Sequence, residues 1–462
     1  MTQSIGLDLG STSIKAGLLD VRGQLSNIVT HPAPKVLAQD GRFESDALAY
    51  ASLADQVLNE CAAQAEGTLD LGLCSQRSSF LIWERDTGKP ITPLISWQDN
   101  RGAESCVALQ AHQPIISALS GLRLTPYFFA PKLRVMLNEN PHWLKSLENG
   151  EYLVGTLDTF LIWRWTSGKL HMCDASMAAR TLLMDIHKQQ WSPALCELFG
   201  IPINILPIIK PSTQLNITLN NDLTLQASLG DQSAALVASV GQERDTALVN
   251  LGTGGFVIRY LADDQKNTLA GYLRTLVYQD SQGGSHIAVE GTLNSIAAAL
   301  ANYPVAECKI ENMAEFKNIY SLAEPSGLGA PYFRADVGLH FSQPVAHLTQ
   351  IQIACLLLEA IVFRVSRIVE DFNRDTPIKR IYLSGGLSEL HILQQSIAQC
   401  VHCDVLRLKQ KDASLQGAAL LASSTRYASN TDIEQVQIAH PGASLRKKYL
   451  HWKDWLEIFL DA

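Results

Sequence analysis

A single acidic residue near a glycine-rich turn is the first feature of this sequence that could do chemistry. Asp231 follows Gly230 and precedes a run of small residues, and a short β-rich run then leads into the turn Gly252-Thr253-Gly254-Gly255. Glycines in such a turn let backbone N–H groups approach an anion closely, because no Cβ restricts φ. The combination suggests chemistry on a phosphorylated ligand. A helix N-cap is the alternative role for Asp231, because Gly-Asp before a helix also fits that pattern.

A second turn of the same kind lies near the N-terminus. Residues 5–20 read as an apolar strand, the polar turn Gly10-Ser11-Thr12-Ser13 and a second apolar strand, with Asp8 just before the turn. Two strand–turn–strand hairpins of one type, one at the start of each half, predict a duplicated fold with a nucleotide in the cleft between its halves. We expect domains of residues 1–228 and 229–462, which would place Asp8 and Asp231 on facing domains.

The composition is typical of a soluble protein with two domains. The net charge is −8 and no long basic run occurs, so nucleic acid is not an expected partner. The N-terminus enters a strand almost at once, without a signal segment, and no apolar run is long enough to cross a bilayer. Nine dispersed cysteines fit a reducing compartment, so we expect a cytoplasmic protein. The single Cys400-Val-His-Cys403 pair favours a structural role over a metal or redox site.

Strands and helices alternate along the chain and predict an α/β fold. The predicted elements that bear on function are a helix within 46–65, a strand at 69–74, a β-hairpin from 80–83 and 94–97, a helix that starts at 98–101, a helix at 132–138, a strand pair over 214–226 with its turn at 220–222, a long helix at 348–372, a strand at 380–384 and a small-residue helix at 414–422. Gly385-Gly386 follows one of these strands, at a position where α/β proteins bind phosphates or adenine.

Taken in order, several motifs resemble those of the FGGY family of carbohydrate kinases, and the resemblance extends from Ile5 to about Ala422. The motifs are Asp8-Leu-Gly-Ser-Thr-Ser13, Ile95-Ser-Trp-Gln-Asp-Asn-Arg101, Gly155-Thr-Leu-Asp158, Gly230-Asp-Gln232, Gly252-Thr-Gly254, Gly327-Leu-Gly-Ala-Pro-Tyr332, Ser384-Gly-Gly386 and Gln416-Gly-Ala-Ala419. Within the family, three segments are most similar to glycerol kinases: Ser75-Gln-Arg77, Thr125-Pro-Tyr-Phe128 and Ala178-Ala-Arg-Thr181. The resemblance implies an α/β, two-domain, actin-like (ribonuclease H-like) ATPase fold.

The resemblance also implies a reaction and its residues. Asp231 would be the base for phosphoryl transfer from ATP to a primary hydroxyl of a small sugar or polyol, and Asp8 would help to place Mg²⁺. The expected nucleotide-binding residues are Gly10, Ser11, Thr12, Ser13, Gly252, Thr253, Gly254, Gly291, Gly385 and Gly386. The expected substrate-binding residues are Arg77, Ser78, Trp97, Tyr127, Asp231, Gln232 and Phe256. Core packing is an equal alternative for Trp97 and Tyr127, as a simple turn is for Gly291.

Departures from the family pattern leave the substrate open. Ser78 stands where glycerol kinases have a glutamate that takes a substrate hydroxyl, and Ser384 stands where an acidic residue is usual. Phe129 and Val135 depart from the first family signature, and the second signature keeps Glu359 but has Leu356 at a small-residue position. These changes lie mostly at packing positions. We therefore expect a ketose or glycerol-like polyol as substrate, with glycerol kinase proper as one alternative. A catalytically weak ATP-binding sensor or an ATPase is the other. Dimers are common in the family, so a homodimer is one expected assembly.

Overall fold

Two mixed β-sheets with the same core topology organise the chain. The structure is a computed structural model that describes residues 2–65, 67–219, 223–241, 243–261, 270–374, 376–409, 412–423, 433–436 and 443–461. The chain divides into two compact units. The first comprises Met1–Gly241, Arg274–Ile287 and Asp412–Asn430, and the second comprises Gln242–Leu273, Ala288–Lys411 and Thr431–Ala462.

The first unit contains the following regular elements. Its strands are β1 (Gln3–Leu9), β2 (Ser13–Leu19), β3 (Leu25–Pro32), β4 (Leu37–Gln39), β5 (Arg42–Ser45), β6 (Leu69–Ser75), β7 (Phe80–Glu84), β8 (Leu94–Ile95), β9 (Tyr152–Thr156), β10 (Met172–Asp174), β11 (Met184–Asp185), β12 (Gln190–Trp191), β13 (Ile208–Lys210), β14 (Thr213–Thr218) and β15 (Thr224–Gly230). Its helices are α1 (Ala47–Ala62), α2 (Ala103–Ala108), α3 (Gln113–Ser120), α4 (Phe129–Glu139), α5 (Pro141–Glu148), α6 (Leu157–Trp165), α7 (Ala175–Ala178), α8 (Pro193–Phe199), α9 (Asp231–Val240) and α13 (Ala413–Ala422).

The other elements follow β15 and α9 in the sequence. The strands are β16 (Thr246–Leu251), β17 (Gly255–Tyr260), β18 (Leu273–Gln279), β19 (Ser285–Leu293), β20 (Ser321–Leu322), β21 (His340–Phe341), β22 (Arg380–Ser384), β23 (Asp404–Leu408) and β24 (Ile433–Gln435). The helices are α10 (Ile296–Leu300), α11 (Gln350–Phe372), α12 (His391–Cys400) and α14 (Ala443–Asp461).

The sheet of the first unit has the order β14-β15-β6-β1-β2-β3. Strand β1 is antiparallel to β2 and parallel to β6, and β6 is parallel to β15. Alternate apolar residues of β1, Ile5, Leu7 and Leu9, are fully buried, which holds the register of its C-terminal end, where Asp8 lies. Helix α1 begins at the predicted place because Asp46 caps it, accepting hydrogen bonds from two backbone N–H groups.

The second sheet repeats this topology in the order β18-β19-β17-β16-β22-β23-β24. Strand β16 is antiparallel to β17 and parallel to β22, β22 is parallel to β23, and β17 is antiparallel to β19. When the edge strands β14 and β18, which lie between β6 and β15 and between β17 and β19 in the sequence, are left out, each sheet has the core order third, second, first, fourth, fifth strand. This repeat confirms the predicted duplication, because the hairpins β1–β2 and β16–β17 hold the same place in their sheets.

Helix α13 packs directly on the first sheet and on α9, although it is far away in sequence. A Cβ on Gly6 of β1 would lie 2.5 Å from the carbonyl oxygen of Leu415 in α13. A Cβ on Gly417 would overlap the carbonyl oxygen of Ala234 in α9. Because β15 runs straight into α9 and α9 packs on α13, residues 229–241 and 412–423 belong to the first unit. The expected division between residues 228 and 229 therefore differs from the observed units, and Asp231 lies in the same unit as Asp8.

The other predicted elements differ mainly at their ends. The hairpin of 80–83 and 94–97 appears as β7 and β8, and the long helix appears as α11 with a Thr349–Gln352 capping box. The helix expected from residue 98 begins at Ala103, and the turn expected at 220–222 lies outside the described residues. Over the part of the chain that the structure describes, no helix is long and apolar enough to cross a membrane. All nine cysteines are free thiols.

Candidate active site

Strand β15, which comes last in the sequence among the strands of the first sheet, places Asp231 at the start of helix α9. Gly230 is the N-cap of α9 and Asp231 is its first residue, so Asp231 is not the cap that we considered as an alternative. Its carboxylate accepts a hydrogen bond from the N–H of Gln232 (2.7 Å). A Cβ on Gly230 would lie 2.8 Å from the side-chain stem of Arg77, so glycine leaves room for Arg77 to reach past it.

Arg77 joins Asp231 and Gln232 in one polar cluster. Its Nε lies 3.7 Å from Asp231 Oδ1, and its guanidinium donates to Gln232 Oε1. Burial raises the pKa of Asp231, and the positive charges of Arg77 and then Arg180 oppose that rise. The carboxylate side chain keeps 31% of its surface exposed, so it is accessible to a small molecule. Of the predicted substrate-binding residues, these three contact one another.

Asp8 lies at the end of β1, opposite Lys15 on β2 and Cys74 on β6. Its Oδ2 accepts a hydrogen bond from the Ser414 hydroxyl (2.6 Å), whereas Oδ1 is buried and has no hydrogen-bond partner among the described residues. Burial raises the pKa of Asp8 to about 6, and the charge of Asp231 adds to the rise while the Ser414 hydroxyl opposes it. The two acids that we expected on facing domains therefore lie within electrostatic reach in one unit.

The N-terminal turn links Asp8 to β2. The carbonyl oxygen of Gly10 accepts from the Tyr50 hydroxyl (3.3 Å), and that of Thr12 accepts from the Ala33 N–H (3.0 Å). The side chain of Thr12 is exposed, and those of Ser11 and Ser13 are half-buried. The turn thus has a fixed backbone and hydroxyl groups that can reach a ligand.

The second turn lies in the second unit. The N–H of Gly252 donates to the carbonyl oxygen of Gly254 (2.8 Å), and Thr253 between them is exposed. Gly385 and Gly386 follow β22, which pairs directly with β16. Gly385 has φ of +86°, whereas no atom lies within 4 Å of the position that a Cβ on Gly386 would take. The positive φ explains why residue 385 is a glycine. No packing contact explains the glycine at residue 386.

Gly291 has a different environment from the turn glycines. It lies inside β19, so the simple turn that we considered as an alternative is not present. A Cβ at this position would lie 2.6 Å from Ile368 Cγ2 on α11 and 3.0 Å from Tyr272 Cε1. Close helix–sheet packing is therefore sufficient to require glycine here, without a ligand.

Ser78 is the most constrained of the expected substrate-binding residues. It has φ of +64°, in the left-handed region that is uncommon for non-glycine residues. Its side chain is buried, and its hydroxyl donates to the carbonyl oxygen of Arg180 (3.2 Å). A serine in this arrangement presents no negative charge to a substrate hydroxyl.

The aromatic residues of the expected pocket belong to two different units. Trp97 and Tyr127 are 38% and 53% exposed with ring centroids 6.4 Å apart, so core packing does not describe either of them. Phe256 lies on β17 in the second unit and is half-buried. The structure therefore groups Trp97 with Tyr127, and it places Phe256 in a different unit from the other expected substrate-binding residues.

Lys132 is a residue of this region that the motif pattern does not reveal. It is fully buried in α4, and its ammonium donates to the carbonyl oxygens of Ser78 (3.0 Å) and Ser96 (2.8 Å). Burial lowers the pKa of Lys132 to about 7. The ammonium thus joins the backbone next to Arg77 to the backbone next to Trp97. The available signal was that Lys132 directly follows the apolar run Phe128-Phe-Ala-Pro131.

Arg180 is a second such residue. It is buried, its guanidinium lies over the Phe128 ring (5.2 Å from the centroid), and it donates to Thr275 Oγ1 (3.1 Å). Its positive charge opposes the rise in the pKa of Asp231 that burial causes. Arg180 belongs to the segment Ala178-Ala-Arg-Thr181, which resembles glycerol kinases, so the sequence held a signal for it.

Comparison with known proteins identifies the family. The family model described as the FGGY family of carbohydrate kinases, N-terminal domain, matches residues 3–252, and the model of the C-terminal domain of that family matches residues 247–425. The chain belongs to the FGGY family of carbohydrate kinases. It is therefore a phosphotransferase that uses an alcohol group of a sugar or polyol as acceptor.

Individual relatives agree with this assignment. A glycerol kinase from Acaryochloris marina is 30% identical over 98% of this chain and 97% of the relative. The fold matches that of Plasmodium falciparum glycerol kinase, solved with ADP, at a TM-score of 0.88 and 21% identity over 99% of this chain and 98% of the other. It also matches gluconate kinase from Lactobacillus acidophilus at a TM-score of 0.86 and 17% identity, with the same coverage of each chain. The FGGY kinase thus has the expected two-domain, actin-like ATPase fold.

The residues of the two family signatures lie in helices α4 and α11 of this FGGY kinase. Phe129 is buried and its ring packs on Phe80, with centroids 4.6 Å apart, so this change fills a core position. Leu356 is buried in α11, and the retained Glu359 pairs with Lys448. Val135 is half-buried on α4. Phe129 and Leu356 therefore act in packing, whereas Glu359 forms an ion pair.

Proposed function

We propose that this kinase transfers the γ-phosphoryl group of Mg²⁺-ATP to a primary hydroxyl of a polyol or ketose with four or more carbons. The observation that carries the proposal is the half-exposed Asp231 carboxylate, with Arg77 on one side and Asp8 within electrostatic reach. Phosphoryl transfer asks a protein mainly to position its reactants, to neutralise charge and to receive the hydroxyl proton. This cluster supplies groups for all three tasks.

Asp231 acts as the general base. Its carboxylate takes the proton of the substrate hydroxyl as the hydroxyl oxygen attacks the γ-phosphorus. The raised pKa of Asp231, caused by burial, makes it a better proton acceptor than an ordinary aspartate. Arg77 keeps the carboxylate ionised while it is free, and its guanidinium can also donate to an oxygen of the bound acceptor.

Asp8 holds Mg²⁺ in this proposal, and its environment fits that role. Its buried Oδ1 has no hydrogen-bond partner among the described residues, which is the state of an oxygen that serves as a ligand. Among those residues, no three His, Cys, Asp or Glu side chains form a metal cluster, but Mg²⁺ bound with a nucleotide needs only one or two carboxylates together with phosphates and water. When bound, the ion neutralises charge on the phosphates. Ser414 keeps Asp8 oriented.

The glycine turns provide backbone N–H groups for the phosphates. We assign Gly10 to Ser13 and Gly252 to Gly254 to this role because both turns carry an exposed threonine, Thr12 or Thr253. Gly385 and Gly386 are assigned to the adenine side, since the open face of Gly386 lets a flat ring approach the backbone. Contact of Gly291 with the nucleotide stays a prediction, and packing against Ile368 is sufficient to explain a glycine there.

The environment of Ser78 supports an acceptor larger than glycerol. Its hydroxyl is directed to the carbonyl oxygen of Arg180, so no carboxylate receives a substrate hydroxyl at this position. The shorter side chain also leaves more room beside Arg77. Trp97 and Tyr127 expose aromatic faces that suit the C–H side of a polyol. Phe256 remains a proposed substrate-binding residue.

Glycerol is the second candidate acceptor. The relative from Acaryochloris marina, 30% identical over 98% of this chain, is a glycerol kinase. The contacts proposed for Arg77, Asp231 and Gln232 do not depend on the length of the acceptor. These residues would therefore also suit glycerol. The residue that separates the two candidates is Ser78.

An ADP-release assay over a panel of acceptors tests the proposal. The panel contains glycerol, erythritol, xylulose, ribulose and sedoheptulose, each with Mg²⁺-ATP. We expect the highest kcat/KM with an acceptor of four or more carbons. Glycerol as the best acceptor would overturn the length assignment, and ATP hydrolysis that no acceptor accelerates would overturn the kinase assignment itself.

We also propose that the enzyme acts in the cytoplasm as a homodimer. Nine free thiols suit a reducing compartment, where disulfides rarely persist. Light scattering after size-exclusion chromatography tests the assembly, and a mass close to the 50.6 kDa of one chain would contradict a dimer.

A further inference from the structure

Four consecutive hydrogen bonds join the segment of Trp97 to the N-terminal turn within the first unit. The N–H of Trp97 donates to Ser79 Oγ (2.9 Å), and the Ser79 hydroxyl donates to Gln76 Oε1 (2.9 Å). Gln76 Nε2 donates to Tyr50 Oη (3.2 Å), and the Tyr50 hydroxyl donates to the carbonyl oxygen of Gly10 (3.3 Å). We call these five residues the Gln76 relay. Each of the four donors gives its hydrogen to the next residue in the direction of Gly10.

The middle of the Gln76 relay is shielded from water. Gln76, Tyr50 and Ser79 are 4%, 1% and 0% exposed. Burial raises the pKa of Tyr50, so its hydroxyl stays protonated and remains a donor. In such a place a broken link leaves a buried polar group unpaired, and hydrogen bonds in series reinforce one another. A shift at one end is therefore costly unless the other end follows.

Gln76 is the residue at which the two sides meet. Its backbone N–H donates to the carbonyl oxygen of Leu9 (3.1 Å), the residue between Asp8 and Gly10. Its side chain uses both its oxygen and its nitrogen in the relay, and it directly precedes Arg77 in the sequence. One side chain thus fixes the turn proposed for phosphate against the segments proposed for the acceptor.

We propose that Gln76 is a positioning residue that couples nucleotide binding at the N-terminal turn to acceptor binding beside Trp97, an inference that rests on the proposed function. Nucleotide binding that orders the carbonyl of Gly10 fixes Tyr50, then Gln76, then Ser79 and the backbone of Trp97. The same coupling acts in reverse, because a free-energy coupling between two sites is reciprocal. A purely structural role would change folding stability without linking the two ligands.

Two conservative variants test this coupling from its opposite ends. Ser79→Ala breaks the link on the acceptor side, and we expect it to raise the dissociation constant of ADP about fivefold or more. Tyr50→Phe breaks the link at the turn, and we expect it to raise the acceptor KM by a similar factor. Ser120→Ala and Tyr449→Phe are matched controls, because each removes a hydrogen-bonded hydroxyl from another buried site. The proposal would be overturned if Ser79→Ala changed only the acceptor KM and Tyr50→Phe changed only the dissociation constant of ADP.

Replacement of Gln76, the middle residue of the Gln76 relay, gives a second test. In Gln76→Met both side-chain links are lost at nearly constant volume, so adding Tyr50→Phe should not raise the acceptor KM further. Equal effects of Tyr50→Phe with and without Gln76→Met would overturn the relay, since the change would then reach the acceptor by another route. Thermal unfolding of every variant shows whether the fold is retained.

A ligand-free measurement separates this inference from the proposed function. Hydrogen–deuterium exchange of the apo protein reports on amides at residues 10–13, far along the relay from Ser79. We expect faster exchange there in Ser79→Ala than in the parent and in Ser120→Ala. Unchanged exchange would overturn the relay, whatever the substrate is. Faster exchange together with no acceptor turnover in the parent would support the relay and overturn only the proposed function.

Discussion

Asp8 and Asp231 lie near enough in the first unit for the charge of Asp231 to raise the pKa of Asp8. Each carboxylate is also partly desolvated, which disfavours its ionised form. Holding two such groups together costs stability in the ligand-free protein, and a bound divalent cation relieves that cost. The pair therefore has consequences that can be measured without knowing the acceptor.

We predict that Asp8→Asn stabilises the ligand-free protein at neutral pH. The pKa of Asp8 is raised from 3.8 to about 6, so between these values the folded protein keeps a proton that the unfolded chain has released. Stability contributed by this group therefore falls as pH rises through that window and stays low above it. An uncharged amide avoids the loss, and we expect a gain of about 1–2 kcal/mol at neutral pH.

Urea unfolding of parent and variant between about pH 4 and pH 8 measures this difference. The gain should shrink as pH falls, because the parent then becomes protonated at Asp8. Asp336→Asn, at an exposed surface ion pair, is the control and should show little change. A loss of stability at neutral pH in Asp8→Asn, or a gain that does not depend on pH, would contradict the account.

We predict that Lys132→Met raises the acceptor KM about tenfold or more while the KM for ATP changes much less. The substitution nearly preserves volume but removes the hydrogen bonds to the carbonyl oxygens of Ser78 and Ser96. Leaving a buried polar group without its hydrogen-bond partner costs about 1–3 kcal/mol, and the two carbonyls would be left buried without this donor. Steady-state kinetics with each substrate varied in turn provides the measurement.

Lys169→Met is the matched control for this change, because Lys169 is exposed. It should leave both KM values near those of the parent. If Lys132→Met raised both KM values equally, or neither, Lys132 would not be specific to the acceptor side.

We predict that Ser78→Glu moves the acceptor preference toward glycerol. A carboxylate is a stronger hydroxyl acceptor than serine and occupies more of the space beside Arg77. We expect the ratio of kcat/KM for glycerol to that for the best longer acceptor to rise about tenfold or more. Ser78→Gln has the same length without the charge and should give a smaller shift. An unchanged acceptor panel in Ser78→Glu would show that residue 78 does not determine acceptor choice.

Local patterns were sufficient for much of the fold. The hairpin around residues 10–13, the strand before Gly385 and the helix that begins after Asp46 follow from apolar alternation, turn residues and helical spacing, all of which act over a few residues. The repeated hairpin also predicted the duplication that both sheets display. The resemblance to FGGY kinases named the family from the order of its motifs.

Contacts between elements that lie far apart in the sequence could not be predicted from local patterns. Asp231 belongs with Asp8 because α9 packs on α13, whose residues follow more than 170 positions later in the sequence. The roles of Lys132 and Gln76 depend on which carbonyl or hydroxyl groups face them, and no spacing in the sequence fixes those partners. Gly291 looked like other glycines in the sequence, and only its neighbour Ile368 explains it.

The most direct test of the central claim is the turnover of Asp231→Asn. The amide keeps the size of the side chain but cannot accept the hydroxyl proton, so we predict a loss of about 10²–10⁴-fold in kcat. The thermal shift produced by Mg²⁺-ADP should remain close to that of the parent, which shows that the nucleotide still binds. Turnover within a few-fold of the parent would contradict the assignment of Asp231 as the base.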